Sequence, residues 1–311
     1  MGSPLKFRSK VLLAAVEATY GQDAAPTGAT NAIQCMDVTI TPQDGETVTH
    51  AYVRPELGAR PQIPVNTHVT LEFSVSLAGA GAAGIVPAYG VLLRGCGMVE
   101  TVTAGVSVAW QPVGLGEESL TLYFILSGNR HRVLGARGSV SIDIKAADLP
   151  VFKFKYTGLY VGPDATAAPT IDLSAFVQPV PVSKTNTPVF TLHGQTPVLK
   201  ALTLDLGVSV IHRDYVNSKA VHITDRSGSG SVTIEAPAIA DHNFFATAID
   251  GTLGALSITH GITAGNIISI HCPKVQALKP RYSDDNGIAM LEMDLVPVPD
   301  AGNDEMVITA S

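Results

Sequence analysis

The sequence has little of what binding proteins and enzymes usually display. Charged residues make up 15% of the 311 residues, aromatic residues make up 6%, and there is a single tryptophan. Carbohydrate-binding modules display aromatic side chains on a face or on loops, so this low content argues against that class. The low charge indicates that much of the surface lies against other subunits.

Cysteine is also scarce. The three cysteines, Cys35, Cys96 and Cys272, are odd in number and far apart, and no CxxC motif occurs. A disulfide scaffold would need more of them, and a cysteine-based zinc site would need closer spacing. We therefore expect reduced thiols and synthesis in the cytoplasm.

Neither a basic excess nor a long hydrophobic run is present. The 27 acidic residues outnumber the 20 basic ones and give a net charge of −7, which repels the phosphate backbone of nucleic acids. Near the N-terminus, basic residues precede the apolar run 11–16, as in a signal peptide, but Glu17 follows at once. We expect no signal peptide and no membrane-spanning segment.

The sequence does contain many strand-like runs, separated by Gly or Pro. The clearest lies in 138–158, GSVSIDIKAADLPVFKFKYTG, where apolar and polar residues alternate and predict a half-buried antiparallel hairpin. Its apolar positions are Val140, Ile142, Ile144, Phe152, Phe154 and Tyr156. Strands are predicted near 33–41, 47–54, 67–77, 105–111, 118–127, 130–134, 138–146, 150–158, 198–206, 208–216, 231–239, 254–260, 266–278 and 287–297.

Two short segments are predicted to be helical. They are 87–97 and 241–251, and both end in glycine. Asp241 is the predicted N-cap of the second helix. In DDNG (284–287), Asn286-Gly287 predicts a hairpin turn rather than a calcium-binding loop.

The predicted fold is mainly β, with two similar β-sandwich or barrel-like domains that each carry one short flanking helix. We predict an N-terminal arm (1–30), a first domain (31–161), a Pro-rich extended linker (162–197), a second domain (198–298) and a C-terminal tail (299–311).

An ungapped alignment supports an internal duplication. It places Tyr52-Val53 against Tyr215-Val216, and 69–72 against 232–235. The alternative is that β-rich chains resemble one another by chance.

The glycine-rich motifs do not predict a nucleotide site. GAGAAG (79–84) matches the dinucleotide-binding pattern, but the strand before it alternates and the helix after it is short. A flexible surface loop is the interpretation we favour. SGSGS (227–231) lacks the lysine of a phosphate loop and is predicted to be a flexible loop tip.

The histidines do not predict a catalytic or metal site either. His222 lies near Asp225, and Asp241 precedes His242, but neither pair has a third ligand at a suitable spacing. We predict that the protein is not an enzyme and has no catalytic, cofactor-binding or metal-binding residues and no cofactor.

Five stretches carry a family resemblance. They are LLAAVEATYGQDAAPTGATNAI (12–33), PAYGVLLRGCGMVETVTAG (87–105), KFKYTGLYVGP (153–163), NFFATAIDGTLGALSITHGITAGN (243–266) and SDDNGIAMLEMDL (283–295). Over most of its length the chain resembles the tail tube proteins, or major tail proteins, of bacteriophages with long non-contractile tails. The resemblance rests on extended similarity and not on one chemical motif.

The resemblance implies a structural protein of the virion tail, made in the cytoplasm of the bacterial host. Such proteins form rings that stack into a hollow tube, and part of each sheet joins its neighbours around the lumen. The implied partners are copies of the same chain, other tail proteins at the tube ends, and the tape measure protein. DNA later passes through the lumen without specific binding. No catalysis, cofactor or membrane is implied.

The usual family pattern has one tube domain per chain and six chains per ring. Because two domains are predicted here, we expect a ring of three chains with pseudo-sixfold symmetry. From the net charge of −7 we also expect an electronegative lumen. The loop 42–68 and the arm 1–30 are the expected ring-to-ring contacts. Lys153 and Lys155 would attract DNA from a lumenal face, which favours an outer or intersubunit position for their strand. The alternatives are a tail terminator, a capsid decoration protein, or a carbohydrate-binding β-sandwich module.

Overall fold

The computed structural model describes residues 4–311, which form antiparallel strands and two short helices. The strands are β1 (Lys10–Val16), β2 (Ala32–Ile33), β3 (Met36–Thr49), β4 (Gln62–Ser76), β5 (Met98–Thr103), β6 (Ser107–Pro112), β7 (Leu120–Leu126), β8 (Asn129–Lys145), β9 (Val151–Tyr160), β10 (Asp164–Ala165), β11 (Val189–Leu192), β12 (Leu199–Asp205), β13 (Val208–Tyr215), β14 (Ser218–Arg226), β15 (Ser229–Glu235), β16 (Leu253–His260), β17 (Ile268–Asp285), β18 (Ile288–Val298) and β19 (Val307–Ala310). The helices are α1 (Gly90–Gly95) and α2 (Phe244–Ile249).

A continuous ladder forms the centre of the molecule. Its spatial order is β3–β4–β9–β8–β12–β15–β18–β17, and every neighbouring pair is antiparallel. Strands β7, β1 and β2 extend from β8, whereas β16 and β11 extend from β17. Strands β13 and β14 form a separate hairpin. Within residues 4–311 these pairings form no closed barrel, so the barrel-like part of the prediction is wrong for a single chain.

One face of this ladder is apolar because its strands place an apolar side chain at every second position. In the predicted hairpin 138–158, strands β8 and β9 pair antiparallel, and the six apolar residues named above are at most 2% exposed. Burying one such side chain contributes roughly 1.5–3 kcal/mol. The main core cluster includes buried residues of seven ladder strands and of both helices, and Val38 and Ile40 of β3 pack against it. A smaller cluster of Leu13, Ala32, Tyr123 and Ile125 lies on β1, β2 and β7.

The opposite face of the ladder is polar. Lys153 Nζ lies 2.6 Å from Asp143 Oδ2, and Lys155 Nζ lies 2.8 Å from Glu72 Oε1. Both lysines belong to β9, which is paired on one side with β4 and on the other with β8. Both edges of β9 are therefore occupied within the chain, so this strand can meet a neighbouring chain only through one of its faces and not by edge pairing.

The two helices lie inside the predicted segments. The N-cap of α2 is Asn243, whose side-chain oxygen accepts a hydrogen bond from the Ala246 backbone N–H at 3.1 Å. Asp241 belongs to the turn before it, so the prediction of Asp241 as the cap is wrong by two residues. Both amino acids favour this position, and only the path of the chain decides between them.

Two segments predicted to be loops are largely strand. Strands β3 and β4 continue outward as a long hairpin, which leaves only residues 50–61 as the loop within 42–68. Residues 229–231 of the predicted loop tip SGSGS open β15 and pair with both β12 and β18. Pairing with β12 and β18 holds these residues extended, and the local composition does not reveal these partners.

The predicted arm, linker and tail each contribute a strand to the sheet. Strand β1 pairs along its whole length with β7, β11 pairs with β16, and β19 pairs with both β17 and β6. Strands β5 and β14 lie in segments where the sequence analysis predicted no strand. Strands β1, β11 and β19 gain their partners from distant parts of the chain, whereas β5 and β14 pair with the strand next to them in sequence.

Candidate assembly surfaces

The chain contains an edge-to-edge junction between two halves, which we define as residues 10–165 and 189–310. Strand β8 is 17 residues long and serves both halves. Its first part pairs with β7 of the first half, and its last part, 141–145, pairs with 201–205 of β12 in the second half. The ladder therefore crosses from one half to the other without a break.

The C-terminal strand makes a second contact between the halves. Strand β19 lies between β17 and β6, with Ile308 opposite Trp110. Beside it, Arg226 Nε donates a hydrogen bond to Glu305 Oε1 at 2.8 Å, and Glu305 is only 7% exposed. Removing one member of a buried pair leaves an uncompensated charge, so this pair fixes the position of the C-terminal segment.

The GAGAAG segment makes a third contact and is not a flexible surface loop. The Gly81 backbone N–H donates to the Gly265 carbonyl oxygen at 2.8 Å, and the Gly79 N–H donates to Asn266 Oδ1 at 2.7 Å. A Cβ atom on Gly79 would lie 2.1 Å from the Gly265 oxygen. Glycine is needed here because another backbone comes close, and the partner is a turn of the second half rather than a phosphate.

The order of pairing is the same in both halves. In the first half, β4, β9, β8, β7 and β1 are successive neighbours. In the second half, β15, β18, β17, β16 and β11 are successive neighbours. Strand β3 pairs with β4 in the first half, and β12 pairs in the same way with β15 in the second half. Strand β3 of the first half therefore corresponds to β12 of the second half, and β8 corresponds to β17.

Two strand edges of the ladder are open among residues 4–311 although the corresponding edges of the other half are paired. Strand β12 is paired on both sides, but its counterpart β3 pairs only with β4. The end of β8 carries β12 on its outer edge, whereas residues 279–285 of β17 pair only with β18. Unpaired edges present rows of backbone donors and acceptors, which are templates for another strand.

Two hairpins project from the ladder, and each bears the same exposed dipeptide. The first arm hairpin comprises residues 42–67 of β3 and β4 with their loop, and the second arm hairpin is 208–226 of β13 and β14. Val53 is fully exposed in the first, and Val216 is 92% exposed in the second. Each follows an exposed tyrosine.

The bases of the arm hairpins touch. His212 Nδ1 lies 2.8 Å from Asn66 Oδ1, and the His212 and His68 rings lie 5.0 Å apart. Burial, and secondarily the nearby His68, lower the pKa of His212. This contact fixes the hairpins relative to each other.

On the polar face of the ladder, lysine and arginine side chains form ion pairs with nearby carboxylates. Besides the two lysine pairs on β9, Arg281 Nε lies 3.0 Å from Glu292 Oε2 and Lys279 Nζ lies 3.4 Å from Asp294 Oδ2. Lys200 Nζ lies 3.0 Å from Asp285 Oδ2. Exposed pairs of this kind add little stability, about 0–1 kcal/mol each, but they prevent a block of unpaired positive charge.

The histidines and cysteines have structural surroundings. His260 bridges Thr187 Oγ1 at 2.9 Å and the Val180 carbonyl oxygen at 3.1 Å, which holds the linker against β16. Burial raises the pKa of the Cys96 and Cys272 thiols to about 12. Among residues 4–311, no group of three or more His, Cys, Asp or Glu side chains could hold a metal ion. No helix in that range is long and apolar enough to cross a membrane.

One comparison with known proteins identifies a family. A family model described as "Phage tail tube protein" matches residues 8–308, which is nearly the whole chain. A comparison with curated proteins gives no match. The matched range includes the first half, the second half as far as residue 308, and every strand of the central ladder.

Proposed function

This chain belongs to the phage tail tube protein family, and we propose that it polymerises into stacked rings forming the hollow tube through which DNA reaches the host. The family consists of structural tail proteins and is not an enzyme family. The observation that carries the proposal is the β8·β12 junction, which already joins two similarly paired halves edge to edge.

The ring that we propose contains three chains with pseudo-sixfold symmetry, in which the halves are duplicated copies of one unit. The common pairing order supports the duplication, and the open edges of β3 and β17 support closure between chains. A head-to-tail contact of this kind is heterologous, and it closes into a ring when the rotation per step divides the circle. Closure also removes the exposed strand edges.

The polar face of the ladder is our candidate for the lumen wall. Its lysines and arginines on β9 and β17 are paired with carboxylates, and the whole chain has a net charge of −7. Such a wall would let DNA pass without retaining it, because affinity for DNA depends on unpaired cations that replace counterions. Lys153 and Lys155 are compatible with this position, and we propose that the lumen is electronegative.

The arm hairpins and the segment before β1 are the proposed ring-to-ring contacts. The exposed Tyr-Val pairs at both hairpin tips supply apolar surface of the kind that protein interfaces bury. Other tail proteins at the tube ends, and the tape measure protein within the lumen, are the remaining proposed partners. The tail of the virion is the proposed location, after synthesis in the cytoplasm of the bacterial host.

Electron microscopy of the purified protein is the decisive experiment. We expect long hollow tubes, and native mass measurement of isolated rings should give three chains. Six chains per ring would contradict the pseudo-sixfold arrangement. Closed rings that do not stack would favour a tail terminator, and dispersed monomers at high concentration would contradict polymerisation.

The arm hairpins can be tested with surface variants. Replacing Tyr52 and Val53 together with serine should shorten or abolish tubes while thermal unfolding stays unchanged, because both side chains are exposed. Leu115→Ser is the matched control, since Leu115 is 87% exposed on a different loop. Normal tube growth by the double variant would remove the first arm hairpin from the proposed ring-to-ring contact.

A further inference from the structure

An open groove lies beside the unpaired edge of β3. Its volume is about 860 Å³, and it lies between the chain before β1, the start of β3 and part of the linker. Among the residues that line the groove are Phe7, Arg8, Cys35, Val38, Ile171 and Leu173. The lining is mostly apolar, and its charged members are Arg8, Lys10 and Asp37. Lys10 Nζ already donates a hydrogen bond to the Val38 carbonyl oxygen at 3.2 Å, so Arg8 is the cation that the groove offers to a partner.

The corresponding place in the second half is filled by the same chain. There the turn between β8 and β9 (146–150) lies beside β12 and the chain that precedes β11. The Ala146 N–H donates to the Lys200 carbonyl oxygen at 2.8 Å, and the Ala147 N–H donates to the Val182 oxygen at 3.0 Å. The Val182 N–H donates in turn to the Asp148 oxygen at 2.9 Å. Val182 is only 7% exposed as a result.

The pairing order identifies the counterpart of this turn. Strand β9 pairs with β4 and with β8, and β18 likewise pairs with β15 and with β17. The turn between β17 and β18 therefore corresponds to the turn 146–150 between β8 and β9. Within its own chain that turn does not line the groove. A turn at the groove in the first half must therefore come from another copy.

From this correspondence we infer that the groove receives the β17–β18 turn, residues 282–290, of a second copy of the chain. Residues 279–285 of that copy then pair with the open edge of β3, as 141–145 pair with β12 inside the chain. This inference rests on the proposed ring and adds which surfaces meet in it.

The chemistry of the two surfaces is complementary. The β17–β18 turn carries Asp284 beside its tip, and in the proposed contact this carboxylate meets Arg8 of the groove, while Asp285 keeps Lys200 of its own chain as its partner. Tyr282 is 60% exposed and Ile288 is 54% exposed, so the turn also offers apolar surface to the apolar lining. Asn286 and Gly287 have φ values of 55° and 90°, a tight turn narrow enough to enter a groove.

Cross-linking in assembled tubes tests the contact. Ile288→Cys places a thiol on the turn, and Cys35 is a native thiol in the groove. A short bismaleimide should join them between chains and produce dimers and trimers on a denaturing gel. Burial raises the pKa of the Cys35 thiol to about 12, so mildly alkaline pH and long incubation are needed.

Two controls make the result specific. Adding Cys35→Ser to the variant should abolish the cross-linked species while tubes still form. Val102→Cys, at a similarly exposed strand position on β5, should give none. Tubes of Ile288→Cys without Cys35-dependent cross-links would overturn this contact and leave the tube proposal standing, whereas wild-type protein without tubes would overturn both.

A charge exchange covers the case in which Ile288→Cys does not assemble. Arg8→Glu and Asp284→Arg should each reduce tube formation, and the double variant should restore it. If the double variant is no better than either single variant, the proposed orientation of the turn in the groove is wrong.

Discussion

The two halves of the chain share one order of strand pairing but fill it with different side chains. The core of the first half is aromatic, with Tyr89, Trp110, Phe152, Phe154 and Tyr156 all at most 2% exposed. The ladder strands of the second half bury mainly non-aromatic side chains to the same extent, such as Leu202, Ile234, Met293 and Leu295. The comparison teaches that strand register needs only an apolar side chain at every second position, because packing can adjust to different shapes of similar total volume.

The halves also differ at their edges. In the ladder, the outermost strand of the second half is β12, which is covered on both sides, whereas the outermost strand of the first half is β3, which has one partner among the described residues. Sequence similarity alone would make these positions equivalent. In the proposed ring, the chain supplies one junction internally, at β8·β12, and the other junction is made with a neighbouring chain.

The largest expected effect concerns the common core. Phe152→Ala should lower the free energy of unfolding by about 3–5 kcal/mol, since it removes a fully buried ring and leaves a cavity. Phe244→Ala in the second half should cost a similar amount. Because the core is continuous, each variant should still unfold in a single calorimetric transition. Two separate transitions would show that the halves are independent folding units.

A smaller effect is expected at the contact between the halves. Gly79→Ala should destabilise the protein by roughly 1–3 kcal/mol, because the added Cβ would lie 2.1 Å from the Gly265 carbonyl oxygen. Gly162→Ala is the matched control, since a Cβ there meets nothing within 4 Å. Chemical denaturation measures both. Equal midpoints for the two variants would mean that the GAGAAG segment is not held against the second half.

A pH dependence is expected where the arm hairpins touch. Burial lowers the pKa of His212 below its usual 6.5, so the unfolded chain binds a proton more readily than the folded protein. Stability is therefore complete above about pH 6.5 and declines as the pH falls below it. His212→Gln should reduce the loss of denaturation midpoint between neutral and mildly acidic pH. His271→Gln, at an exposed position, should leave the dependence unchanged, and the opposite ranking would contradict the assignment.

The smallest effect is expected from the polar face. Asp143→Asn should change the free energy of unfolding by about 1 kcal/mol or less, because its partner Lys153 is half exposed. The same change should strengthen retention of single- or double-stranded DNA by assembled tubes at low salt, since it frees a cation on the proposed lumen wall. Glu235→Gln is a control on the same ladder, because Glu235 forms no ion pair among residues 4–311. Equal DNA retention by both variants would argue against this face as the wall.

The long, strictly alternating strands could be predicted from the sequence. The hairpin 138–158 and the Asn286-Gly287 turn are confirmed because alternation and turn chemistry are local signals. Strand β1 was not predicted, since its continuous apolar run is explained only by burial against β7. Strand β19 is four residues long and exists through its two distant partners.

The assembly surfaces were less accessible to sequence reasoning. The dipeptides at Tyr52 and Tyr215 can be aligned in the sequence, but their exposure on two projecting hairpins could not be read from it. The tight approach of Gly79 to Gly265 could not be read from a motif that equally matches a nucleotide loop, because the partner lies 186 positions away. The ion pairs of Lys153 and Lys155 could not be read from the sequence either, because their carboxylate partners lie on the strands next to β9.

Strand β8, which serves both halves, has a consequence for the speed and concentration dependence of assembly. In the proposed ring every second junction is the β8·β12 junction, formed while each chain folds and therefore independent of how often chains meet. Two encounters bring the three chains together and the third junction closes the ring, whereas six separate units would need five encounters. Each spared encounter avoids a loss of translational and rotational freedom worth several kcal/mol. A ring built this way would nucleate at a lower subunit concentration than one built from six separate copies of either half.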